Sequence, residues 1–242
     1  MSFIVKLINV FDLYTERKIF LKLNQLLGKD IKQVIDVGAH RGEFIIKLCK
    51  FFKVKNAISF EPNPDVFKIL NDKTFYLQSR GILKIFNVGT SEENKIEILN
   101  VNIESSSSSI NLLNAKSRYF IRKYRILNFF KRKNITKPVE IKVEKLSNIL
   151  NKLNVEAIDL LKIDTEGYEL SSLKGAINNL KNTKAIYFEH HFDDMIIKNY
   201  KLSDIHSFLI ENNFKKFFKI KMKFRKSFEY IYYNRKLFTN YE

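Results

Sequence analysis

The sequence predicts an α/β fold in which an open, mostly parallel sheet is covered by helices on both faces. From residue 32 onward, short apolar runs alternate with amphipathic stretches, as in strands connected by crossover helices. The apolar runs are continuous, which is typical of strands buried on both faces. With 242 residues and 45% hydrophobic residues, the chain suits one domain with additions. We place this domain at 32–242, after an N-terminal helical extension at 1–31.

Three apolar runs, separated by stretches with helical periodicity, predict the first half of the sheet. Asn63-Pro64 opens one of the helices, because proline is tolerated in a first helical turn. Gly28 ends an amphipathic helix that precedes the sheet. The predicted strands are 33–37, 56–60 and 82–88, and the predicted helices are 3–27, 42–52 and the one beginning at 63.

An insertion at 89–157 interrupts this alternation between the third and fourth strands. Within it, 95–101 and 139–143 are predicted to pair as a β-ribbon, 115–133 is a basic helical stretch, and 146–153 is a short helix. The alternation then resumes with strands 158–163 and 185–188 and helices 168–180 and 203–212. From Phe218 to Phe224 apolar and basic residues alternate with a period of two, and 228–233 follows as its partner strand. We therefore predict five parallel strands and a C-terminal antiparallel pair.

The net charge of +17 raises the alternative of a nucleic-acid-binding protein. The excess consists of 34 lysines against 9 arginines, although arginine is the better residue for bidentate recognition of phosphates and bases. The lysines are also spread along the whole chain rather than concentrated on one segment. Nucleic acid is therefore not the expected partner.

The cysteine content and the absence of long apolar segments favour a cytoplasmic protein. Cys49 is the only cysteine, which excludes an intrachain disulfide, and a reducing compartment fits best. No targeting signal is recognisable, and no window reaches the roughly 18 apolar residues of a membrane span.

A strand-turn-helix motif at Asp36-Val37-Gly38-Ala39-His40-Arg41-Gly42 predicts a ligand-binding loop. Gly38 and Gly42 are expected to let the backbone, including Ala39, approach a ligand closely. Asp36 suits the cationic amino-acid part of a ligand better than a pyrophosphate. The motif does not match G-x-G-x-x-G, which argues against a nicotinamide-dependent oxidoreductase.

A second motif, Phe60-Glu61-Pro62-Asn63-Pro64, places an acidic residue at the end of the second strand. Nucleotide-binding folds use a carboxylate at this position, about 20 residues after the glycines, to bind both ribose hydroxyls. Glu61, flanked by Pro62 and Asn63, therefore predicts a nucleoside site together with the glycine motif.

Acidic residues and histidines also follow the fourth and fifth strands. Asp164 and Glu166 end the fourth strand, and Glu189-His190-His191 ends the fifth. The carboxyl ends of parallel strands form the edge at which open α/β sheets bind ligands. Carboxylates there can bind a ligand's amino group, accept a proton from a hydroxyl, or hold a divalent cation. The spacing does not require a metal.

The motifs of the chain resemble those of a known family. DVGAHRGEF, FEPNP, LKIDTEGYE and LKGA, in this order, are similar to the motifs of FkbM-type enzymes, a branch of the class I S-adenosylmethionine-dependent methyltransferases. The resemblance implies a Rossmann-like, seven-stranded class I sheet and O-methylation of a saccharide or secondary-metabolite hydroxyl. It also implies that Gly38, Gly42 and Glu61 hold the methyl donor, Glu61 through its ribose. The segment 87–90 and the long basic insertion depart from the family pattern.

Such an enzyme needs a base, because an aliphatic hydroxyl is a poor nucleophile at neutral pH. Asp164, Glu166, Glu189 and the pair His190-His191 are the candidates. Arg118, Arg122 and Arg125 in the basic stretch suggest an anionic acceptor or contact with the membrane surface. The alternative is an RNA methyltransferase, but base methylases are expected to carry an Asn-Pro-Pro-Tyr or Pro-Cys type motif where this chain has Asp-Thr-Glu-Gly.

Overall fold

The computed structural model describes residues 3–102, 108–111, 114, 116–117, 136–194, 196–223 and 226–238. Seven helices and ten strands lie in this part of the chain. The helices are α1 (Phe3–Leu27), α2 (Glu43–Phe51), α3 (Pro64–Ser79), α4 (Leu146–Lys152), α5 (Glu169–Gly175), α6 (Ile177–Leu180) and α7 (Leu202–Glu211). The strands are β1 (Asp30–Val37), β2 (Lys53–Phe60), β3 (Leu83–Phe86), β4 (Gly89–Ser91), β5 (Lys95–Asn102), β6 (Thr136–Lys145), β7 (Ile158–Ile163), β8 (Thr183–His191), β9 (Phe214–Lys221) and β10 (Ser227–Asn234).

Seven of the strands form one sheet in the order β3-β2-β1-β7-β8-β10-β9. The strands β3, β2, β1, β7 and β8 run parallel, and β10 is antiparallel to both β8 and β9. The predicted arrangement of five parallel strands and a C-terminal antiparallel pair is confirmed. After β1 the chain crosses to β2 on one side, while β7 pairs on the other side, so β1 ends at a topological switch point.

The insertion between the third and fourth strands of the main sheet forms a second sheet, β4-β6-β5. The predicted ribbon is confirmed, because Lys95 lies opposite Val143 and Leu99 lies opposite Val139 in an antiparallel pair. The short strand β4, parallel to β6, was not predicted, since three residues are too few to show a period. The predicted basic helix at 115–133 lies almost wholly outside the described residues.

The N-terminal helix α1 is packed into the main domain rather than standing apart from it. Leu23 is fully buried, and the ring of Phe20 lies 6.0 Å from that of Phe44 and 5.5 Å from that of Phe51, centroid to centroid. Phe44 and Phe51 belong to α2, so α1 covers α2 on one face of the sheet. None of the described helices is long and apolar enough to cross a membrane.

The helix predicted over 168–180 is divided into α5 and α6, and the division explains the glycine of the LKGA motif. A β-carbon on Gly175 would lie 2.0 Å from the backbone oxygen of Ser91, at the end of β4. The Gly175 carbonyl accepts a hydrogen bond from the buried Ser147 hydroxyl at 2.7 Å. This close contact fixes the smaller sheet against the main one, beside the carboxyl ends of the parallel strands.

Candidate active site

A cavity of about 380 Å³ opens at the carboxyl ends of the parallel strands. Its walls come from the loops after β1 and β2, from the ends of β7 and β8, and from β10. The smaller sheet contributes Thr90 and Leu99, and α1 contributes Glu16. The loop motifs and the acidic strand ends that the sequence singled out therefore meet at one edge of the sheet.

The loop after β1 needs its glycines for reasons other than the predicted approach of a ligand. Gly38 has a φ of 73°, and a β-carbon there would lie 1.8 Å from the Asp164 carbonyl oxygen. Gly42 has a φ of 82°, and its β-carbon would meet Thr74 of α3 at 2.8 Å. Gly38 and Ala39 line the cavity, whereas Gly42 does not. The close approach is thus between parts of the protein itself.

Asp36 lies beneath the cavity, and the prediction that it faces a ligand is not supported. Its side chain is fully buried and does not line the cavity. One carboxylate oxygen lies 3.2 Å from the Lys162 ammonium, and the other accepts a hydrogen bond from Ser59 at 3.2 Å. The cation that Asp36 binds is therefore a lysine of the same chain.

Lys162 lines the cavity, although the sequence interpretation did not single it out. Its ammonium donates to the Gly38 carbonyl at 2.9 Å and lies 3.5 Å from Asp164, while its side chain lines the cavity. Burial disfavours its charged form, but Asp36 and Asp164 outweigh that cost and raise the pKa of Lys162 above its ordinary value. A lysine within the apolar run Leu160–Ile163 was the available signal, because buried lysines need charged partners.

Glu61 is held in place by the backbone and lines the cavity. Its two oxygens accept hydrogen bonds from the backbone N–H groups of His40 at 2.8 Å and Asn63 at 2.9 Å. Burial is the main reason that the pKa of Glu61 is raised above its ordinary value. The Asn63 side chain caps α3 by accepting from the backbone of Asp65, and Pro62 lines the same wall. The carboxylate therefore has a fixed orientation at the end of β2.

Asp164 and Glu166 both line the cavity, but their surroundings differ. The Asp164 side chain is 36% exposed and lies 3.5 Å from the Lys162 ammonium. Glu166 has a φ of 51°, an uncommon backbone conformation for a residue with a side chain, and its carboxylate lies 3.3 Å from the His191 ring. Asp164 is thus the more accessible of the two carboxylates.

Consecutive residues at the end of β8 point to opposite faces of the sheet. Glu189 lines the cavity, whereas His190 points to the opposite face and does not, so the prediction of His190 as a base is not supported. Burial, followed by Lys198 and His191, lowers the pKa of His190 to about 4. His191 is 3.5 Å from Glu189 and 3.6 Å from Asp193. Burial lowers its pKa, but these acids and Glu166 outweigh burial and raise it to about 10.

Comparison with known families decides the classification of the chain. The profile of the methyltransferase FkbM domain matches residues 36–216. The chain belongs to the FkbM methyltransferase family. No curated protein sequence gives a significant match.

Solved structures share the fold of this FkbM domain. The methyltransferase FkbM from Methylobacillus flagellatus KT is 16% identical, with a TM-score of 0.53, over 84% of this chain and 44% of that protein. The chain thus spans less than half the length of that relative. Magnesium protoporphyrin IX methyltransferase from Synechocystis PCC 6803, solved with bound S-adenosylmethionine, is 10% identical, with a TM-score of 0.54, over 97% of this chain and 85% of that one.

In the described part of this FkbM domain, no group of three or more histidine, cysteine or acidic side chains is arranged to hold a metal ion. The divalent cation therefore remains a prediction from the acidic residues alone. Besides Lys162, the sequence interpretation missed Glu229, which reaches the cavity from β10. Its position between aromatic residues of the last strand gave no sign of the cavity.

The opposite pKa shifts of the two adjacent histidines are directly measurable. With a pKa of about 10, His191 is expected to stay protonated through neutral pH, whereas His190, at about 4, stays neutral down to pH 5. His191 then stabilises the fold fully below its ordinary pKa of 6.5, and this contribution is lost as pH rises toward 10. NMR titration of the histidine rings, assigned with His190→Gln and His191→Gln, checks both values. His190 and His191 titrating together near 6.5 would contradict this site geometry.

Proposed function

We propose that this domain is an S-adenosylmethionine-dependent O-methyltransferase that acts on a hydroxyl of a saccharide or secondary-metabolite acceptor. The observation that carries the proposal is a single cavity with the fixed Glu61 carboxylate on one side and the accessible Asp164 carboxylate on the other. The family membership supports methyl transfer, and the two carboxylates suit a nucleoside donor and a hydroxyl acceptor.

The cavity fits the donor in size and in hydrogen-bonding groups. Its volume of about 380 Å³ falls within the range of small-molecule sites. Because the backbone fixes Glu61, its remaining lone pairs can accept hydrogen bonds from two ribose hydroxyls. The Asn63 amide nitrogen, on the same wall, is buried and has no hydrogen-bond partner among the described residues. This nitrogen is a donor for the nucleoside. When bound, S-adenosylmethionine supplies a methyl group on a good leaving group, its sulfonium.

Asp164 is the best placed base for the acceptor hydroxyl. Glu166 and Glu189 are both engaged with His191, and His190 faces away from the cavity. Asp164 instead faces the cavity, its side chain is 36% exposed, and the Lys162 ammonium lies 3.5 Å away. In this role the Asp164 carboxylate would accept the proton that the acceptor hydroxyl loses on methylation, and the bound donor would supply the methyl group.

RNA methylation is the second candidate, favoured by the net charge of +17. The described cavity walls oppose it, because seven of their residues are acidic: Glu16, Glu43, Glu61, Asp164, Glu166, Glu189 and Glu229. A phosphate group at this opening would be repelled by the surrounding carboxylates. Small hydroxyl-bearing acceptors therefore fit the cavity better than RNA does.

Donor binding is the first measurement that tests this function. Glu61→Ala is expected to weaken binding of S-adenosylmethionine by about 1–3 kcal/mol, because buried ribose hydroxyls lose their acceptor. Isothermal titration calorimetry measures the change, and the exposed Glu156→Ala is the matched control. The proposal fails if the parent protein does not bind the donor or prefers NAD.

The role of Asp164 is tested by a change that keeps shape and removes charge. Asp164→Asn is expected to melt near the parental temperature and to lower methyl transfer about 100-fold or more, as for the loss of a positioned base. Transfer of labelled methyl groups to a panel of sugars provides the rate. Parental rates in both Asp164→Asn and Glu166→Gln would show that neither carboxylate is the base, and strong labelling of RNA would favour the second candidate.

A further inference from the structure

Two buried carboxyl groups face each other at the side of the cavity that lies away from Glu61. Glu189 on β8 and Glu229 on β10 are directly opposite in the antiparallel pairing, so their side chains share one face of the sheet. Their residues are 8% and 6% exposed, and both line the cavity. Glu61 follows β2, three strands from β8, so the pair stands at the other end of the cavity from the nucleoside site.

This arrangement is unfavourable for the protein alone. Like charges directly opposite on paired strands repel, and burial increases the cost. Burial, followed by the charges of Glu189 and Asp164, raises the pKa of Glu229 well above its ordinary value. Buried groups that oppose folding in this way are concentrated at functional sites.

The rest of the protein does not fully offset the cost of burying the Glu229 carboxyl group. Glu189 has the His191 ring 3.5 Å away, and the Lys162 ammonium is engaged with Gly38, Asp36 and Asp164. Glu229 shares a hydrogen bond with the Tyr187 hydroxyl. Its oxygen Oε2, however, is buried without a hydrogen-bond partner among the described residues, and Glu229 forms no ion pair there. The charge of Lys162 acts on Glu229 without forming an ion pair with it, so the wall holds a carboxyl group that has no ion-pair partner among the described residues.

We infer that Glu229 and Glu189 form the subsite that binds an ammonium group of the acceptor. This inference rests on the proposed function and narrows its acceptor to amino polyols, such as amino sugars. Across the edge of the sheet, Glu61 follows β2, Asp164 follows β7, and Glu229 lies on β10. An acceptor held by its ammonium at Glu229 therefore presents a neighbouring hydroxyl to Asp164, between the ammonium site and the nucleoside site.

The inferred acceptor differs in charge from the anionic acceptor that the basic stretch at 115–133 suggested. The cavity walls carry seven acidic residues against Lys162 and the histidine His40. Four of the seven are paired with Lys47, Lys73 or His191, whereas Glu229 forms no such pair among the described residues. Such a cavity attracts a cation and disfavours a carboxylate or phosphate at the reacting position. An ammonium between Glu189 and Glu229 also removes the repulsion that the two carboxyl groups otherwise suffer.

A matched set of sugars tests this inference. Glucosamine and glucuronate each differ from glucose at a single position. At pH 7 glucosamine is cationic, glucose is neutral and glucuronate is anionic. Saturation-transfer NMR with donor-loaded protein is expected to rank their binding in that order. Glu229→Gln keeps the shape and the Tyr187 hydrogen bond, and it is expected to weaken glucosamine binding about 10-fold or more, since a charge-assisted hydrogen bond is lost. Glucose binding is expected to change little.

The controls separate this inference from the proposed function. Glu156→Gln, on the exposed surface, is expected to bind like the parent, and donor binding by calorimetry is expected to be the same in all three proteins. If the protein binds the donor, three results would overturn the ammonium subsite alone. These are a preference for glucuronate, no binding of any of the sugars, and unchanged glucosamine binding in Glu229→Gln. The last result would mean that Glu189 and Glu229 only share a proton. Loss of donor binding in the parent would instead contradict the proposed function.

Discussion

The buried ammonium group of Lys162 is the interaction on which the site depends. It donates to the Gly38 carbonyl in the loop after β1, and it lies 3.2 Å from Asp36 within β1 and 3.5 Å from Asp164 at the end of β7. A lysine buried to this extent is costly unless it is paired and hydrogen-bonded. These three partners lie in, or directly after, the two strands that meet at the switch point. The charge therefore holds the loop after β1 and Asp164 in one arrangement.

Strand register extends this interaction into a polar row beneath the cavity. Ser59, Asp36, Lys162 and Tyr187 occupy consecutive paired positions on β2, β1, β7 and β8, so their side chains share one face of the sheet. The ring of Phe44 in α2 covers the row, 5.5 Å from the Lys162 ammonium and 5.7 Å from the Tyr187 ring. This polar row positions groups for the cavity at the edge of the sheet. The α1 helix contributes indirectly, by packing Phe20 against Phe44.

Much of the fold was predictable, because buried parallel strands leave continuous apolar runs in a sequence. The strand 158–163 was predicted with its observed bounds, and the ribbon of the insertion was found from two runs of alternating residues. The features of the fold that were not predicted have physical causes. The strand β4 is too short to show a period, and the break between α5 and α6 follows Gly175, where the helix approaches Ser91 of β4 closely.

The candidate site was predicted less completely than the fold. Glu61 and Asp164 both follow apolar runs in the sequence, and from this their location at the edge of the sheet was predictable. Motif position could not show that Asp36 points below the cavity toward Lys162, or that His190 and Glu189 face opposite sides of β8. Side-chain direction follows from register, which one sequence does not reveal. Glu229 comes from the antiparallel strand β10, whose neighbours in the sheet are distant in sequence.

A double-mutant cycle on Lys162 and Asp36 tests the central claim most directly, with stability measured by urea unfolding. Lys162→Met leaves buried carboxylates without their cation, and we expect it to lower the free energy of unfolding by about 3–5 kcal/mol. Adding Asp36→Asn removes one of those charges, so the double variant is expected to be more stable than Lys162→Met alone. The account is contradicted if Lys162→Met is as stable as the parent, or if the two substitutions are additive.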